Sequence, residues 1–327
     1  MEEQFDLKDR KILYELDLNS RQTFQSIGKK VGLSKNAVKY RIDNFLKSGI
    51  IKQFHTVLDL SKLGLISFRV YLNLRNLNPH KEKEIITYLE KTKIVTWIIS
   101  IEGEYNLGLL VLTKSIKEMN DFWEGFNSKY VNFVDKKLIT IMTRVHYFSR
   151  AFLKGLKKND YEILFVSSPP DENEKSLFDD TDLKILEVLS GDARKSVVDI
   201  SSKLGLNEKT VISRMRKLEE KKIIVGYKTV FNLDKLGYLY YKINFNFINL
   251  NSKILKEFKD YIKNHPNIIY EDEVLGGEDL EIELQVKDVN SLREIIDEIK
   301  TRFSEVIANY STLLFYKEHK YLFFPHN

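Results

Sequence analysis

The feature that most constrains this chain is an internal repeat with a constant offset of 173 positions. The matched positions run from near the start of the chain almost to its end: residues 9–13 (DRKIL) with 182–186 (DLKIL), Gly32-Leu33 with Gly205-Leu206, Arg41 with Arg214, Gly103 with Gly276, and His146 with His319. Self-similarity at one fixed register marks repeated structural units. The sequence therefore predicts a tandem duplication.

Composition is consistent with several folded domains. At 327 residues the chain exceeds one ordinary core, and 43% hydrophobic with 30% charged residues is normal for a globular protein. We expect a cytoplasmic protein, because no stretch of roughly 18–20 apolar residues occurs and the N-terminus lacks signal-peptide order. The net charge of +5 and pI near 8.9 permit a polyanionic partner.

Cysteine and histidine usage argues against a metal site or cofactor. The chain has no cysteine, and its six histidines are scattered without ligand spacing. It shows no phosphate-binding loop, no dinucleotide fingerprint and no zinc motif. We expect no cofactor, no metal and no catalytic residue.

The repeat and a polar stretch containing Pro169-Pro170 set the expected domain boundaries. We predict a helix-turn-helix domain over 1–54, a sensor and assembly domain over 55–150, a linker over 151–177, a second helix-turn-helix domain over 178–227 and a second sensor domain over 228–327. A flexible coil over 151–177 would span on the order of 30 Å. That length allows the halves to pack together or to separate.

Each copy begins with three apolar stripes at helical spacing, which predict three short helices. Between the second and third helices stand Gly32-Leu33-Ser34 and Gly205-Leu206-Asn207. Glycine suits a helix C-terminal turn, and serine or asparagine suits the N-cap of the next helix. This arrangement is typical of a helix-turn-helix, whose second helix reads the major groove of DNA.

The outer faces of the two recognition helices are the candidate DNA-binding surfaces. Lysine and arginine neutralise phosphates, and polar side chains reach base edges. The candidates are Ser34, Lys35, Asn36, Lys39, Tyr40 and Arg41 in the first copy, and Asn207, Lys209, Thr210, Ser213, Arg214 and Arg216 in the second. Arg41 and Arg214 lie beside the core stripe, so each either closes a structural ion pair or contacts a phosphate. The unequal faces indicate two dissimilar half-sites or a second head that has lost DNA binding.

The second part of each copy reads as βαββαβ. The first copy has strands over 66–74, 94–101, 107–112 and 133–148 with helices over 79–92 and 115–130, and the second has strands over 240–248, 268–275, 280–286 and 306–316 with helices over 252–264 and 289–303. This order predicts an α+β, ferredoxin-like domain with helices on one face of its sheet. The other face needs a partner, either the other half or another chain.

The hairpins between the middle strands are candidate effector sites, although tight-turn geometry alone explains their glycines. Their residues are Gly103, Glu104, Tyr105 and Asn106 in the first copy, and Gly276, Gly277, Glu278 and Asp279 in the second. His146 and His319 fall near strand ends, where an imidazole is more often packed or hydrogen-bonded than catalytic.

The whole arrangement resembles the leucine-responsive and asparagine-regulator (Lrp/AsnC) family of transcription factors, in tandem. The resemblance is carried by residues 7–13, Arg21, Gly32-Leu33-Ser34, Arg41-Ile42 and Gly103, and by residues 179–186, Arg194, Gly205-Leu206, Arg214 and 276–280. It implies a DNA-binding regulator that self-associates through its sensor domains and binds an amino acid or related small molecule near the glycine hairpins. Asp279 matches the acidic residue common in that hairpin, whereas the first copy has Asn106.

Two rival functions remain open on the sequence. The first is an assembly partner that no longer reads DNA. The second is an enzyme, because siroheme decarboxylases resemble the same two-part architecture. Such an enzyme needs a cationic pocket with histidine and arginine for tetrapyrrole carboxylates, and neither sensor part shows such a cluster.

Overall fold

A computed structural model describes residues 5–157, 162–166, 178–322 and 324. The first copy opens with helices α1 (Leu7–Leu18), α2 (Phe24–Val31) and α3 (Lys35–Lys47) and strand β1 (Ile51–Leu58). It continues with β2 (Ile66–Leu74), α4 (Pro79–Lys91), β3 (Val95–Glu102), β4 (Leu107–Thr113), α5 (Ile116–Tyr130), β5 (Val134–Phe148) and β6 (Glu162–Val166).

The second copy repeats this order. Its elements are α6 (Asp180–Gly191), α7 (Val197–Leu204), α8 (Glu208–Glu220), β7 (Ile224–Phe231), α9 (Leu233–Leu236), β8 (Leu239–Phe247), α10 (Ser252–Asn264), β9 (Ile268–Leu275), β10 (Leu280–Val286), α11 (Val289–Phe303) and β11 (Ile307–Tyr321). The mixed helix and strand fold, with two helix-turn-helix heads and two βαββαβ sheets, confirms the predicted fold class.

The predicted caps of the recognition helices are present. Ser34 Oγ accepts a hydrogen bond from the Ala37 amide at 3.2 Å, and Asn207 Oδ1 accepts one from the Lys209 amide at 2.8 Å. Gly32 ends α2 at φ +69°, in the left-handed region that favours glycine. The sequence thus sets the angle at which each recognition helix leaves its predecessor.

The two heads form one unit, which the sequence did not predict. Strand β1 pairs antiparallel with β7, and α1 of the first copy packs on β7 while α6 of the second packs on β1. The helices of both heads share one hydrophobic core. The predicted boundaries at 54/55 and 227/228 therefore fall inside paired strands rather than between domains.

The sensor parts close into a ring of eight antiparallel strands. Their order is β2-β4-β3-β11-β8-β10-β9-β5, and β5 pairs again with β2. Helices α4 and α5 pack on the outer face of the first half-sheet, and α10 and α11 on that of the second. The inner faces of the two half-sheets meet through Tyr71, Ile101, Leu313 and Phe315. The face that required a partner is thus covered by the other half of the same chain.

The segment predicted as a linker, 151–177, contains regular structure in its described part. A 3-10 turn, Ala151–Lys154, follows β5, and β6 pairs with the end of β5 from Arg144 to Phe148. The sequence of β6 (EILFV) is apolar and rich in strand-forming residues, which explains its pairing. Strand β11 also extends to Tyr321, five residues beyond its predicted end, because its second part pairs with β3 of the first half. The proline pair lies outside the described residues.

Among the described residues, none of the helices combines the length and the apolar character that crossing a membrane requires.

Candidate nucleic-acid interface and sensor sites

The recognition helix of the first head, α3, presents its predicted DNA-binding face to solvent. Val38 and Ile42 are buried in the core, whereas Lys35, Asn36, Lys39 and Tyr40 are exposed. Tyr40, which is 68% exposed, is a large aromatic residue on this face. Lys39 forms an exposed ion pair with Asp43, which a phosphate can replace at little cost because such pairs contribute little.

The recognition helix of the second head, α8, has a different exposed face. Val211 and Met215 are buried, and the exposed positions carry Lys209, Thr210, Ser213 and Arg216. Arg216 pairs with Glu220 at 2.8 Å on the surface. Both faces are therefore open and basic, and they present different side chains.

Arg41 and Arg214 close matching structural ion pairs. Arg41 Nη1 lies 2.7 Å from Asp6 and 2.6 Å from Asp9, and Arg214 Nη1 lies 2.7 Å from Asp179 and 2.9 Å from Asp182. The hydrogen bonds that Arg41 donates to Asp6 and Asp9 raise its pKa above the ordinary value. Each arginine thereby fixes the recognition helix to the start of the first helix. A phosphate contact by either one stays a prediction.

A reciprocal arginine lock holds the heads together. Arg21 Nη1 donates to the carbonyl oxygens of Ala193 and Lys195 in the second head, and Arg194 Nη1 donates to those of Ser20 and Gln22 in the first. The two arginines occupy matched repeat positions. Because each one binds backbone of the other head, the recognition helices are held in one relative position.

Replacing Arg194 with glutamine is expected to lower the free energy of unfolding by about 1.5–3 kcal/mol, since hydrogen bonds to a charged donor are lost. Chemical denaturation measures this loss. Arg75→Gln is the control, because Arg75 is 56% exposed and pairs with an exposed Asp135. Equal decreases in the free energy of unfolding of the two variants would show that the arginine lock does not stabilise the pair of heads.

A buried ion pair joins the first head to the ring of strands. Arg150 Nη1 lies 2.6 Å from Asp17 of α1, and the Arg150 amide donates to the same carboxylate at 2.7 Å. Arg150 Nε also donates to Gln285 of β10 at 2.9 Å. The repeat position of Asp17 in the second copy is Ser190, so this link belongs to the first head.

The glycine hairpins lie at the interface between the halves. A Cβ added at Gly103 would lie 2.9 Å from Leu313 of β11, and one at Gly276 would lie 3.6 Å from the Ile139 carbonyl of β5. Both glycines have positive φ, +146° and +88°. Each hairpin therefore rests against the last strand of the other half, in positions that a side chain would crowd or strain.

Asn106 and Asp279 perform the same structural task at matched positions. Asn106 Oδ1 accepts from the Leu74 amide at 2.8 Å, and Asp279 Oδ2 accepts from the Phe247 amide at 2.7 Å. Each side chain thus ties its hairpin to the end of a neighbouring strand. Glu104 forms an exposed ion pair with Lys136, while burial raises the pKa of Tyr105.

The matched histidines differ in their surroundings. His319 Nε2 hydrogen-bonds Ser100 Oγ at 2.8 Å, and burial lowers its pKa. Donor atoms of His146, Glu271 and Glu273 lie within 4.8 Å of one another, a grouping able to hold a cation. The ammonium of Lys259 already pairs with both carboxylates, so the group has a cation of its own.

Sequence reasoning missed the lock, the Asp17–Arg150 link and the interior of the ring. Arg21 and Arg194 were visible as matched positions, but their targets are backbone carbonyls in the other copy. No local pattern marks such a contact.

Comparisons with known proteins agree with this arrangement. Residues 178–219 match the family model of the AsnC-type helix-turn-helix domain, and residues 5–52 match that of a winged helix-turn-helix DNA-binding domain. The transcriptional regulator Ptr1 of Methanocaldococcus jannaschii is 34% identical over 115 residues, covering 35% of this chain and 76% of its own length. The regulator FL11 of Pyrococcus furiosus is 27% identical over 146 residues, covering 45% of this chain and 94% of its own.

A solved structure shares the arrangement of the whole chain. The crystal structure of the siroheme decarboxylase NirDL aligns with a TM-score of 0.62 over 98% of this chain and 94% of its own, at 14% identity, which shows a shared fold. The regulators each match less than half of this chain, as a duplicated protein requires. The chain therefore belongs to the Lrp/AsnC family of DNA-binding transcriptional regulators, in a tandem form that joins two copies in one polypeptide.

Proposed function

We propose that the protein binds a DNA site made of two dissimilar half-sites, with one head on each, and that a small-molecule effector controls this binding through self-association. The observation that carries the proposal is the arginine lock between two open, basic recognition helices. A fixed pair of heads requires a fixed spacing of half-sites on DNA. The different exposed residues of α3 and α8 require the half-sites to differ in sequence.

The contact residues follow from exposure and chemistry. Lys35, Lys39, Lys209 and Arg216 are proposed to neutralise phosphates, which their exposure and charge favour. Asn36, Tyr40, Thr210 and Ser213 are proposed to contact base edges. Ser34 and Asn207 cap their helices and lie next to the first turn, where amides approach the DNA backbone.

Effector control is proposed at the hairpins 103–106 and 276–279. Two features favour this location: the hairpins lie between the halves, and the carboxylate of Glu278 has a buried oxygen, Oε2, that no described residue hydrogen-bonds. Since the lock fixes the heads within one chain, the effector is proposed to change the association of chains with one another. The spacing of head pairs along DNA would then change with the population of assembled states.

DNA binding by the purified protein to fragments of its own upstream region tests the proposal. Replacing Lys35, Lys39, Lys209 and Arg216 together with alanine is expected to weaken binding at least tenfold. The slope of log K against log salt concentration should become shallower by up to about 3–4, since each lost phosphate contact contributes about 0.9.

A matched variant controls for the change in net charge. It replaces four exposed lysines of the outer sensor helices α4 and α5 with alanine: Lys83, Lys91, Lys117 and Lys129. This variant should bind as the unaltered protein does. If both variants lost binding equally, the surface assigned to DNA would be wrong, and absence of binding at low salt would favour the assembly-partner alternative.

The second candidate function is decarboxylation of a tetrapyrrole, which the whole-chain similarity to NirDL favours. Its requirement for a histidine- and arginine-bearing pocket is not met by the cavity inside the ring. Arg69 and Arg150 line that cavity, each paired with a carboxylate, and its described lining contains no histidine. Titration with siroheme, followed by absorption spectroscopy, separates the two functions, because a regulator of the proposed kind leaves the spectrum unchanged.

A further inference from the structure

A cavity of about 310 Å³ lies between the inner faces of the two half-sheets, and strands β1 and β7 of the heads also line it. It is distinct from the hairpins, none of whose residues line it. All eight strands of the ring contribute residues to its wall. Cavities of this size, mostly apolar with a few polar groups, are typical ligand sites.

One part of the wall is a buried ionic cluster. Arg69 lies 3.3 Å from both Asp272 and Glu283, and its guanidinium stacks 4.8 Å above the ring of Trp97. Lys242, fully buried behind the wall, pairs with Asp272 at 3.1 Å and with Glu281 at 2.6 Å.

This cluster has more carboxylates than cations. Asp272, Glu281 and Glu283 are three carboxylates, whereas Arg69 and Lys242 supply two positive charges. Burial raises the pKa of Glu283, which favours a proton on a carboxylate of this group. A ligand that carries one positive charge would balance the cluster in place of that proton.

The cluster also has unused hydrogen-bonding capacity at the cavity. Asp272 Oδ1 and Arg69 Nε are buried, and neither has a hydrogen-bond partner within the described part of the chain. The exposed fraction of the Asp272 side chain is 1%. A buried acceptor without a donor is costly, so a ligand N–H at Asp272 Oδ1 would relieve that cost.

Aromatic rings form the rest of the wall. Phe315 meets Tyr240 edge-to-face at 5.1 Å and Trp97 at 5.5 Å, and Tyr147 meets Tyr270 at 4.6 Å. Aromatic faces attract organic cations and accommodate flat apolar groups. The carboxylate excess of the ionic cluster and the aromatic rings of the wall therefore both favour a ligand that is an organic cation with a flat apolar group.

We infer that this cavity binds a small organic monoamine with a flat apolar body, whose ammonium group donates to Asp272 Oδ1. The ring of the ligand packs among Trp97, Tyr240 and Phe315. Arg150 lines the same cavity and pairs with Asp17 of the first head. A regulatory role for the amine would act through this link and rests on the proposed function, whereas binding itself does not.

Three probes of similar shape test the inference: phenethylamine, 3-phenylpropionate and 3-phenylpropanol. The chain has two tryptophans, and Trp123 packs with Phe126 on the outer side of the sheet. In a Trp123→Phe protein, emission therefore reports on Trp97 in the cavity wall. Phenethylamine should change this emission saturably, with a dissociation constant at least tenfold lower than for either other probe. Equal binding of the carboxylate or the alcohol, or no saturable change with the amine, would overturn the inference.

A variant locates the amine. Asp272→Asn should weaken phenethylamine binding at least tenfold, because a charge-assisted hydrogen bond is lost. Asp135→Asn, a change on an exposed pair, should leave it unaltered. Unchanged binding by Asp272→Asn would overturn the assignment. The comparison of probes needs no change in the cavity wall, so it decides the inference even if Asp272→Asn fails to fold. No step uses DNA, so failure here is distinguishable from failure of the proposed function.

Discussion

Replacing Asp17 with asparagine is expected to lower the free energy of unfolding by about 3–5 kcal/mol, the usual cost of removing one partner of a buried ion pair. The Asp17 side chain has no exposed surface and Arg150 has 9%, so water cannot replace the lost charge. The hydroxyl of Tyr147 lies 3.2 Å from the same carboxylate. The variant leaves the Arg150 guanidinium buried between the first head and the ring without its counter-charge.

Equilibrium denaturation with urea measures this loss. Asp135→Asn is the matched control, because Asp135 and Arg75 are 43% and 56% exposed and such pairs contribute at most about 1 kcal/mol. If Asp17→Asn cost no more than the control, the Asp17–Arg150 pair would not anchor the first head.

Replacing Lys242 with methionine is also expected to lower the free energy of unfolding by about 3–5 kcal/mol, because it removes one partner of a buried ion pair. Lys242 is fully buried, and Nζ lies within 3.6 Å of Asp272, Glu281 and Glu283. These neighbours hold its pKa well above the ordinary value, so the lysine is charged in the folded protein. Without it, Arg69 alone faces three buried carboxylates.

A double variant identifies the cause of the loss. Adding Glu281→Gln to Lys242→Met removes one unbalanced carboxylate, so the double variant should be more stable than Lys242→Met alone. A double-mutant cycle with both single variants measures the coupling energy between the two residues. Lys136→Met, on an exposed pair with Glu104, should change stability by less than about 1 kcal/mol. If the double variant were less stable than Lys242→Met, charge imbalance would not explain the effect.

Local sequence patterns predicted most of the elements. Five elements illustrate this, one in the first sensor part and four in the second. The predicted bounds agree with the structure for β2, α10, β9, β10 and α11. Periodicity, caps and turn residues are encoded within a few positions of each element. The helix caps at Ser34 and Asn207 were predicted for the same reason.

Contacts between the copies were not predictable from local patterns. Strand β1 follows the first head directly, and its partner β7 lies in the second copy. The targets of Arg21 and Arg194 are backbone carbonyls, which carry no sequence signal. The sequence required a covered sheet face but left open whether the other half or another chain covers it.

The buried polar residues inside the ring could not be predicted from the sequence for a different reason. Along β10, Glu281 and Glu283 alternate with Ile282 and Leu284, a pattern normally expected for a strand with one solvated face. Here the polar face points into the ring, where Glu283 pairs with Arg69 and Glu281 pairs with Lys242. Alternation identifies two faces, but only tertiary structure decides which of them meets water.

Selection of DNA from a random library by the full-length protein tests whether the two locked and unequal heads bind one composite site. We expect selection to return two dissimilar half-sites at one constant spacing. Recovery of a perfect palindrome, or of the same half-sites at several unrelated spacings, would contradict it.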